Sequence, residues 1–196
     1  MIKKNSAVYG GGIYCYESSS MHIYNTTLVE NDAVTYGGAI RCNFSEAFFI
    51  NCTAFNNTSN NGSGLACGIV PAPIVTNCIF WDDSANEIHV YSGEPIITFS
   101  DIAGGWEGEG NIDADPLFVD PENGDFHLTV DSPCIDTGTL EGSPEFDFEG
   151  DPRPQGDGVD MGADEYSDAV TRVFIQKQQI PVLNVHSREI QPKNKW

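Results

Sequence analysis

Basic residues are scarce in this chain, and long apolar runs are missing from it. Of its 196 residues only 9 are Lys or Arg, against 29 Asp or Glu, which gives a formal net charge of −20. A field of this sign repels nucleic acid and polyanionic sugars, so we expect no nucleic-acid partner. No apolar stretch approaches the roughly 20 residues of a transmembrane helix. The N-terminal "MIKKNSAVYGGG" lacks the apolar segment of a signal peptide.

Motifs for metal, redox and nucleophilic chemistry are also absent. None of the cysteines form a CxxC pair, the four histidines are scattered, and no GxSxG motif occurs. The cysteines are therefore read as a ladder of buried thiols, with at most one disulfide within a column as the open alternative. The cysteines are Cys15, Cys42, Cys52, Cys67, Cys78 and Cys134.

The acidity is confined to one region of the chain. Residues 1–81 have a net charge of −1, residues 82–165 of −22 with Arg153 as their only base, and residues 166–196 of +3. Such a region improves solubility and also attracts cations. We divide the chain into a repeat region (5–112), an acidic C-terminal module (113–166) and a basic, partly disordered tail (167–196).

The repeat region restates one pattern with a period of about 26 residues. "VTYGGAIRC" (34–42) follows "AVYGGGIYC" (7–15) at a distance of 27 residues, and "NGSGLACG" (61–68) is a weaker third copy. A fixed period of this length indicates stacked structural units. Two independent columns share the period, namely Cys15, Cys42 and Cys67, and Asn25, Asn51 and Asn77.

Short segments in each unit alternate between core and surface residues, which indicates strands. In "GIYCY", Ile13 and Cys15 alternate with Tyr14 and Tyr16. The units are too short for crossover helices, so we predict an all-β, right-handed parallel β-helix of three to four coils with a C-terminal cap. The GG pairs and the Asn column mark its corners. "PIITFSDI" (95–102), which echoes "PIVTNCIF" (73–80), is the fourth coil.

Two groups of motifs carry a family resemblance. "YGGAI" and "FNN" resemble the repeats of the polymorphic outer-membrane protein type, within the pectate-lyase-like β-helix group. "NIDADPLFVDPENGDFHLTVDSPCIDTG", "GDPRP" and "VDMGADEY" are similar to the C-terminal module called choice-of-anchor Q. The resemblance covers about residues 5–166 and implies an exported bacterial surface protein, located at the cell surface or outside the cell. It implies no activity, because β-helices host enzymes, adhesins and stalks alike.

Three residues are candidates for carbohydrate contact. Alternation places Tyr14 and Tyr16 on the outer face, and aromatic rings stack on sugars or cover a neighbouring strand. Arg41, the only Lys or Arg between residues 5 and 100, points outward beside Tyr14 and Ala66. A lone arginine is a poor site for a polysaccharide lyase, which needs a base and cations. Asp82 and Asp83 resemble the paired aspartates of glycoside hydrolases, without the expected basic partners.

Calcium is the predicted cofactor, if the protein has one. The segment "GDPRPQGDGVDMGADEY" places Asp151, Asp157, Asp160 and Asp164 among glycines. Calcium takes several carboxylate and carbonyl oxygens in such turns. The alternative is that these carboxylates accept backbone N–H bonds and stabilise turns.

These features favour a non-catalytic module of an exported surface protein: a stalk, an adhesin or a carbohydrate-contacting β-helix. The alternative is a carbohydrate-active enzyme whose main site lies on further coils upstream, which we expect in a longer parent protein. The expected partners are a polysaccharide or another cell-surface protein. The open strand edges at the N-terminal end also predict end-to-end self-association.

Overall fold

A computed structural model describes residues 1–17, 20–69, 72–81 and 86–168. The first turn of the chain contains β1 (Ile2–Lys3), β2 (Ser6–Tyr9), β3 (Ile13–Tyr16) and β4 (Met21–Tyr24). The second contains β5 (Thr27–Val29), β6 (Asp32–Tyr36), β7 (Ile40–Asn43) and β8 (Ala47–Ile50). The third contains β9 (Thr53–Phe55), β10 (Thr58–Ser59), β11 (Leu65–Gly68) and β12 (Ile74–Thr76).

The fourth turn contains β13 (Ile79–Trp81), β14 (Ile88–Val90) and β15 (Ile96–Thr98), and β16 (Asp101–Ile102) follows it. Like strands of successive turns pair in parallel and form four sheets. Sheet A is β1-β5-β9-β13-β16, sheet B is β2-β6-β10, sheet C is β3-β7-β11-β14, and sheet D is β4-β8-β12-β15. The predicted all-β fold, a parallel β-helix of about four turns, is confirmed, and the described residues contain no α-helix.

The register of the strands confirms the repeat columns. Ile13 pairs with Ile40 and Ile40 with Leu65, while Cys15, Cys42 and Cys67 are aligned in the same sheet. The fourth coil is also confirmed, since Ile74 pairs with Ile96. The inward-facing residues of the four sheets form one core, which includes Leu28, Ala54, Phe80, Phe49, Val75 and Ile97. All six cysteines are buried and free.

The corners of the turns use left-handed backbone conformations. Gly10, Gly37 and Gly62 have φ of 58°, 72° and 64°, and a β-carbon on Gly37 would lie 2.2 Å from the carbonyl oxygen of Ile40. The Asn25, Asn51 and Asn77 column also has positive φ, as predicted. Glycine and asparagine therefore mark two different corners of each turn.

A second asparagine column lies inside the coil and was not predicted. The Asn57 side-chain oxygen accepts bonds from the backbone N–H and the side-chain amide of Asn31, at 2.9 and 3.1 Å. The side-chain amide of Asn57 donates to the carbonyl oxygens of Leu28 and Phe55. Asn5 donates to Asn31 in the same way. This ladder satisfies backbone groups at the corner between sheets A and B.

The acidic module covers more of the β-helix than its C-terminal end. Just before the module, Trp106 packs against the hydrophobic core, and Ile112 forms a parallel bridge with Asp101 of β16. Beyond this point the chain forms an antiparallel hairpin, β17 (Phe118–Asp120) and β18 (Asp125–Leu128), joined by a 3₁₀ turn at Pro121–Asn123. The remaining residues of the module follow the outer face of sheet A.

Contacts along sheet A reach from the fourth turn back to the first. Leu128, Cys134 and Met161 pack on Ile79, and Phe126 packs on Val29 and Phe55. The asparagine corner adds hydrogen bonds: Asn77 donates to the carbonyl of Thr139, Asn51 to that of Asp160 and Asn25 to that of Phe146. Sheet A is thus buried on both faces, and residues 1–166 form one compact unit.

No helix long and apolar enough to cross a membrane is found in the described part of the chain. The predicted basic tail lies, from residue 169 onward, outside the described residues.

Candidate functional site

The outer face of sheet C presents aromatic side chains to solvent. In β3, Ile13 and Cys15 point into the core, so Tyr14 and Tyr16 point outward, where they are 42% and 44% exposed. Their rings are 5.7 Å apart. The structure therefore places both predicted carbohydrate-contact tyrosines on one accessible surface.

Further rings extend this surface beyond the two predicted tyrosines. Neighbouring ring centroids are 5.7 to 6.4 Å apart, a spacing at which aromatic rings attract one another. We call this surface the aromatic face. It consists of Tyr9, Tyr14, Tyr16, Tyr36, Phe44, His89 and Tyr91. Sequence reasoning missed most of it, although the column Tyr14, Arg41, Ala66 and His89 could have been extended from the repeat register.

Arg41 lies in the middle of the aromatic face and is buried there. It stands between Tyr14 and Ala66 in the register, as predicted, but it is only 7% exposed. Its Cζ lies 4.8 Å from the centroid of the Tyr36 ring, a cation–π contact. Its Nη1 is buried and has no hydrogen-bond partner among the described residues.

Most of the aromatic face lies on sheet C, which is not adjacent to sheet A, where the acidic module packs. Each turn runs through sheets A, B, C and D in order, and Tyr9 in β2 and Tyr36 in β6 extend the aromatic face onto sheet B. One exposed carboxylate does contact the aromatic face, because Glu17 hydrogen-bonds to Tyr16 and raises the pKa of its hydroxyl. Residues 1–81, which include most of the aromatic face, have a net charge of only −1.

The four predicted calcium ligands differ in burial and in hydrogen bonding. Asp160 is buried, and its carboxylate accepts bonds from the backbone N–H groups of Asp136 and Tyr166, at 2.8 and 2.6 Å. Asp164 accepts from the N–H of Leu128. Asp157 is exposed, and Asp151 bonds through its backbone to Asp147.

The described residues contain no group of three His, Cys, Asp or Glu side chains placed to hold one metal ion. Calcium binding stays a prediction, which a thermal melt in EDTA and then in excess calcium tests, since an ion that binds only the folded state raises its melting temperature.

A buried ion pair anchors the end of the acidic module. Arg153 Nη1 lies 2.7 Å from Glu165 Oε2, and its Nη2 donates to the carbonyls of Gly162 and Ala163. Burial raises the pKa of Asp160 to about 7, against the hydrogen bond from Asp136. Burial likewise raises the pKa of Asp101, beneath the module, to about 7. Both Asp101 and Asp160 are buried.

A histidine between carboxylates is the second charged cluster that the sequence did not predict. His127 Nδ1 lies 2.5 Å from Asp125, and its Nε2 lies 2.9 Å from Glu149. Burial lowers the pKa of His127, but the bonds to Glu149 and Asp125 outweigh that effect and raise it to about 9. His127 and Phe148 also line a cavity of about 220 Å³ that reaches Met1 and Thr27. The cluster joins the module to the first and second turns.

The aspartate pair considered for glycoside hydrolysis, Asp82 and Asp83, lies outside the described residues. Arg41, considered for a lyase, has none of the described carboxylates within 4.0 Å to form an ion pair. The described residues thus bring together an aromatic surface around one cation. That arrangement can bind a sugar ring. Among the described residues of the aromatic face, no acidic side chain pairs with Arg41 as general acid–base catalysis would need.

Comparisons with known proteins do not identify the family. No protein-family model matches the chain, and no curated protein or solved structure gives a significant match. The parallel β-helix is established by the strand pairing, whereas the resemblance to pectate-lyase-like and choice-of-anchor Q proteins stays a prediction.

Proposed function

We propose that the protein is a non-catalytic module of an exported surface protein, and that it contacts carbohydrate through the aromatic face. The observation that supports this function is the row of exposed tyrosines on sheet C. Tyr14 and Tyr16 project from neighbouring positions of one strand, so their spacing is fixed by the β-helix. Rigid aromatic rings in a row suit the apolar faces of successive sugar units at little entropic cost.

The rest of the molecule fits the role of a scaffold. Each turn is held to the next by parallel strands and by the asparagine ladder, and the module protects sheet A from solvent. Location at the cell surface or outside the cell is part of the proposal and is supported by the resemblance stated above. Another cell-surface protein is the competing partner for the same face.

A binding assay with matched tyrosine variants tests the proposal. The purified chain is run through native gels that contain single soluble glycans, neutral and acidic, and retardation is compared with that of Tyr14→Ala/Tyr16→Ala. We expect at least one glycan to retard the wild type and the double variant to bind it roughly tenfold more weakly, the loss expected for stacking contacts of this type.

The control is Tyr24→Ala on sheet D, because Tyr24 is as exposed as Tyr14, at 42%. This variant should bind like the wild type. Retardation by no glycan, or equal loss in the Tyr24 control, would contradict the proposed function and favour a protein partner.

A further inference from the structure

Arg41 carries a charge that the described part of the protein does not neutralise. It is the only Lys or Arg between residues 5 and 100, and the described carboxylates form no ion pair with it. The Tyr36 ring offsets only part of the cost of burying a guanidinium. Its Nη1 therefore remains without the acceptor that a buried charged group normally has.

The position of this nitrogen suggests where the acceptor comes from. Arg41 starts from the outer side of β7, and its neighbours are surface rings rather than core side chains. Its Nη2 lies near Gly68, 3.5 Å from where a β-carbon of that residue would be, so the guanidinium reaches toward Tyr91. Tyr91 is 63% exposed and Tyr36 is half-buried, so the rings beside the guanidinium belong to the surface of the protein.

We propose that the aromatic face selects sugars that carry an anionic group, a carboxylate or a sulfate, and that Arg41 binds this group. The inference rests on the proposed function and names the ligand class of the same face. The sugar ring packs on Tyr14 or Tyr16, and the anionic group reaches the guanidinium between them and Tyr91. Arginine suits this role because its planar donors match a carboxylate or a sulfate oxygen pair.

The acidity of the whole chain does not prevent such binding. The module packs on sheet A, which is not adjacent to sheet C, and salt screens charges beyond roughly 10 Å at ordinary ionic strength. Glu17, which contacts Tyr16, and Asp32, on the same strand as Tyr36, are exposed carboxylates at the rim of the aromatic face. Arg41 is the cation at its centre.

Two matched pairs of glycans test the inference with the full chain. Polygalacturonate is compared with its methyl ester, which has the same sugar ring without the charge, and dextran sulfate is compared with dextran. Calorimetric titrations are made in EDTA, so that a calcium bridge to the acidic module cannot contribute. We expect the wild type to bind one charged glycan about tenfold more tightly than its neutral partner, as one charge-assisted contact implies. A preference within the polygalacturonate pair identifies a carboxylate as the bound group, and a preference within the dextran sulfate pair identifies a sulfate.

Arg41→Met keeps the apolar stem and removes the charge. The ratio of its affinities for the charged and the neutral partner should fall to about one, whereas Arg41→Lys should keep part of the preference. Should Arg41→Met fail to fold, as judged by circular dichroism, Arg41→Gln is measured against the same criterion.

Equal affinity of the wild type for charged and neutral partners, with binding that still depends on Tyr14, would overturn the inference alone. An unchanged preference in Arg41→Met would also overturn it. Binding to no glycan at all would overturn the proposed function and the inference together.

Discussion

At the scale of single residues, asparagines hold successive turns of the β-helix together. Asn31 and Asn57 are fully buried. The side-chain amide of Asn31 donates to Asn57 in the next turn and to the carbonyl of Ile2 in the preceding turn, and that of Asn57 donates to the carbonyl of Leu28 in the preceding turn. A side-chain amide suits this position because it donates and accepts at once, as a backbone peptide group does. The asparagines therefore connect successive turns at the corner between sheets A and B.

We expect Asn57→Ala to destabilise the protein strongly. The substitution leaves the Leu28 carbonyl and the Asn31 N–H buried without these partners, which should cost roughly 2 to 4 kcal/mol of unfolding free energy. Chemical denaturation measures the loss. The control is Asn60→Ala, whose side chain bonds to Val34 at the exposed surface and should cost less than about 1 kcal/mol. Equal losses in the two variants would show that the ladder has no special role.

The glycine corner also depends on single positions. In Gly37→Ala the new methyl group would meet the Ile40 carbonyl at 2.2 Å in a left-handed conformation, so the turn must shift. A positive φ alone lowers the unfolding free energy by roughly 1 kcal/mol when a non-glycine residue adopts it. We expect Gly37→Ala to lower the unfolding free energy by several times that amount. Gly150→Ala isolates that smaller cost, because Gly150 has φ of 97° and open space around it. Similar melting temperatures for the two variants would contradict the steric account.

At the scale of elements, the two faces of a strand explain what the sequence could and could not predict. In sheet C, β3 alternates in sequence and in burial, and the repeat register extends its pattern to β7, so the direction of Tyr14, Tyr16 and Arg41 was predictable. In sheet A, the residues beside the inward-facing Leu28 and Ala54 are also apolar, since Val29 and Phe55 pack on the other side of the sheet. Those apolar outer residues were the available signal that a second layer covers sheet A. They did not say which residues form the layer.

Burial of Arg41 was beyond sequence reasoning for a related reason. The register predicted its direction, but the ring that covers it, Tyr36, belongs to the neighbouring sheet and reaches over the corner. Such contacts depend on side-chain rotamers across a turn, which the repeat pattern does not specify. The contacts of His127 could not be predicted either, because Glu149, which hydrogen-bonds to it, is 22 residues away in the sequence.

The attachment of the module to sheet A depends on its aromatic contacts. Phe126 is nearly buried and lies 5.5 Å, between ring centroids, from both Phe55 and Phe118. Phe126→Ala should lower the unfolding free energy by roughly 3 to 5 kcal/mol and make the module more sensitive to proteolysis. Phe146→Ala, at an exposed ring, should cost under about 1 kcal/mol. Resistance of the Phe126 variant to both tests would show that the module is held elsewhere.

At the scale of the whole molecule, charge makes stability depend on pH. The folded-state pKa of His127, about 9, lies above its ordinary value of 6.5. Because the folded-state pKa is raised, the protonated His127 contributes fully to the unfolding free energy below about pH 6.5. That contribution is lost as the pH rises toward 9. Asp101 and Asp160, with raised pKa values of about 7, act in the same direction between roughly pH 4 and 7.

We therefore expect the melting temperature to fall as pH rises from 6 to 9.5, and part of this fall to vanish in His127→Gln. The contribution of protonated His127 to the unfolding free energy is on the order of 2 kcal/mol. His22→Gln, on sheet D, is the control and should show the wild-type pH dependence. A His127→Gln variant with an unchanged pH dependence would contradict the role assigned to the Asp125 and Glu149 contacts.

The aromatic face is the surface through which we propose that the protein binds glycans. Hydrogen–deuterium exchange of the full chain, with and without the glycan that it binds most tightly in the gel assay, tests this claim most directly. We predict added protection in β3, β7 and β11 and in the loop around Tyr91, with residues 113–166 unchanged. Protection confined to the acidic module, or to sheet D, would place the binding surface elsewhere and contradict the account.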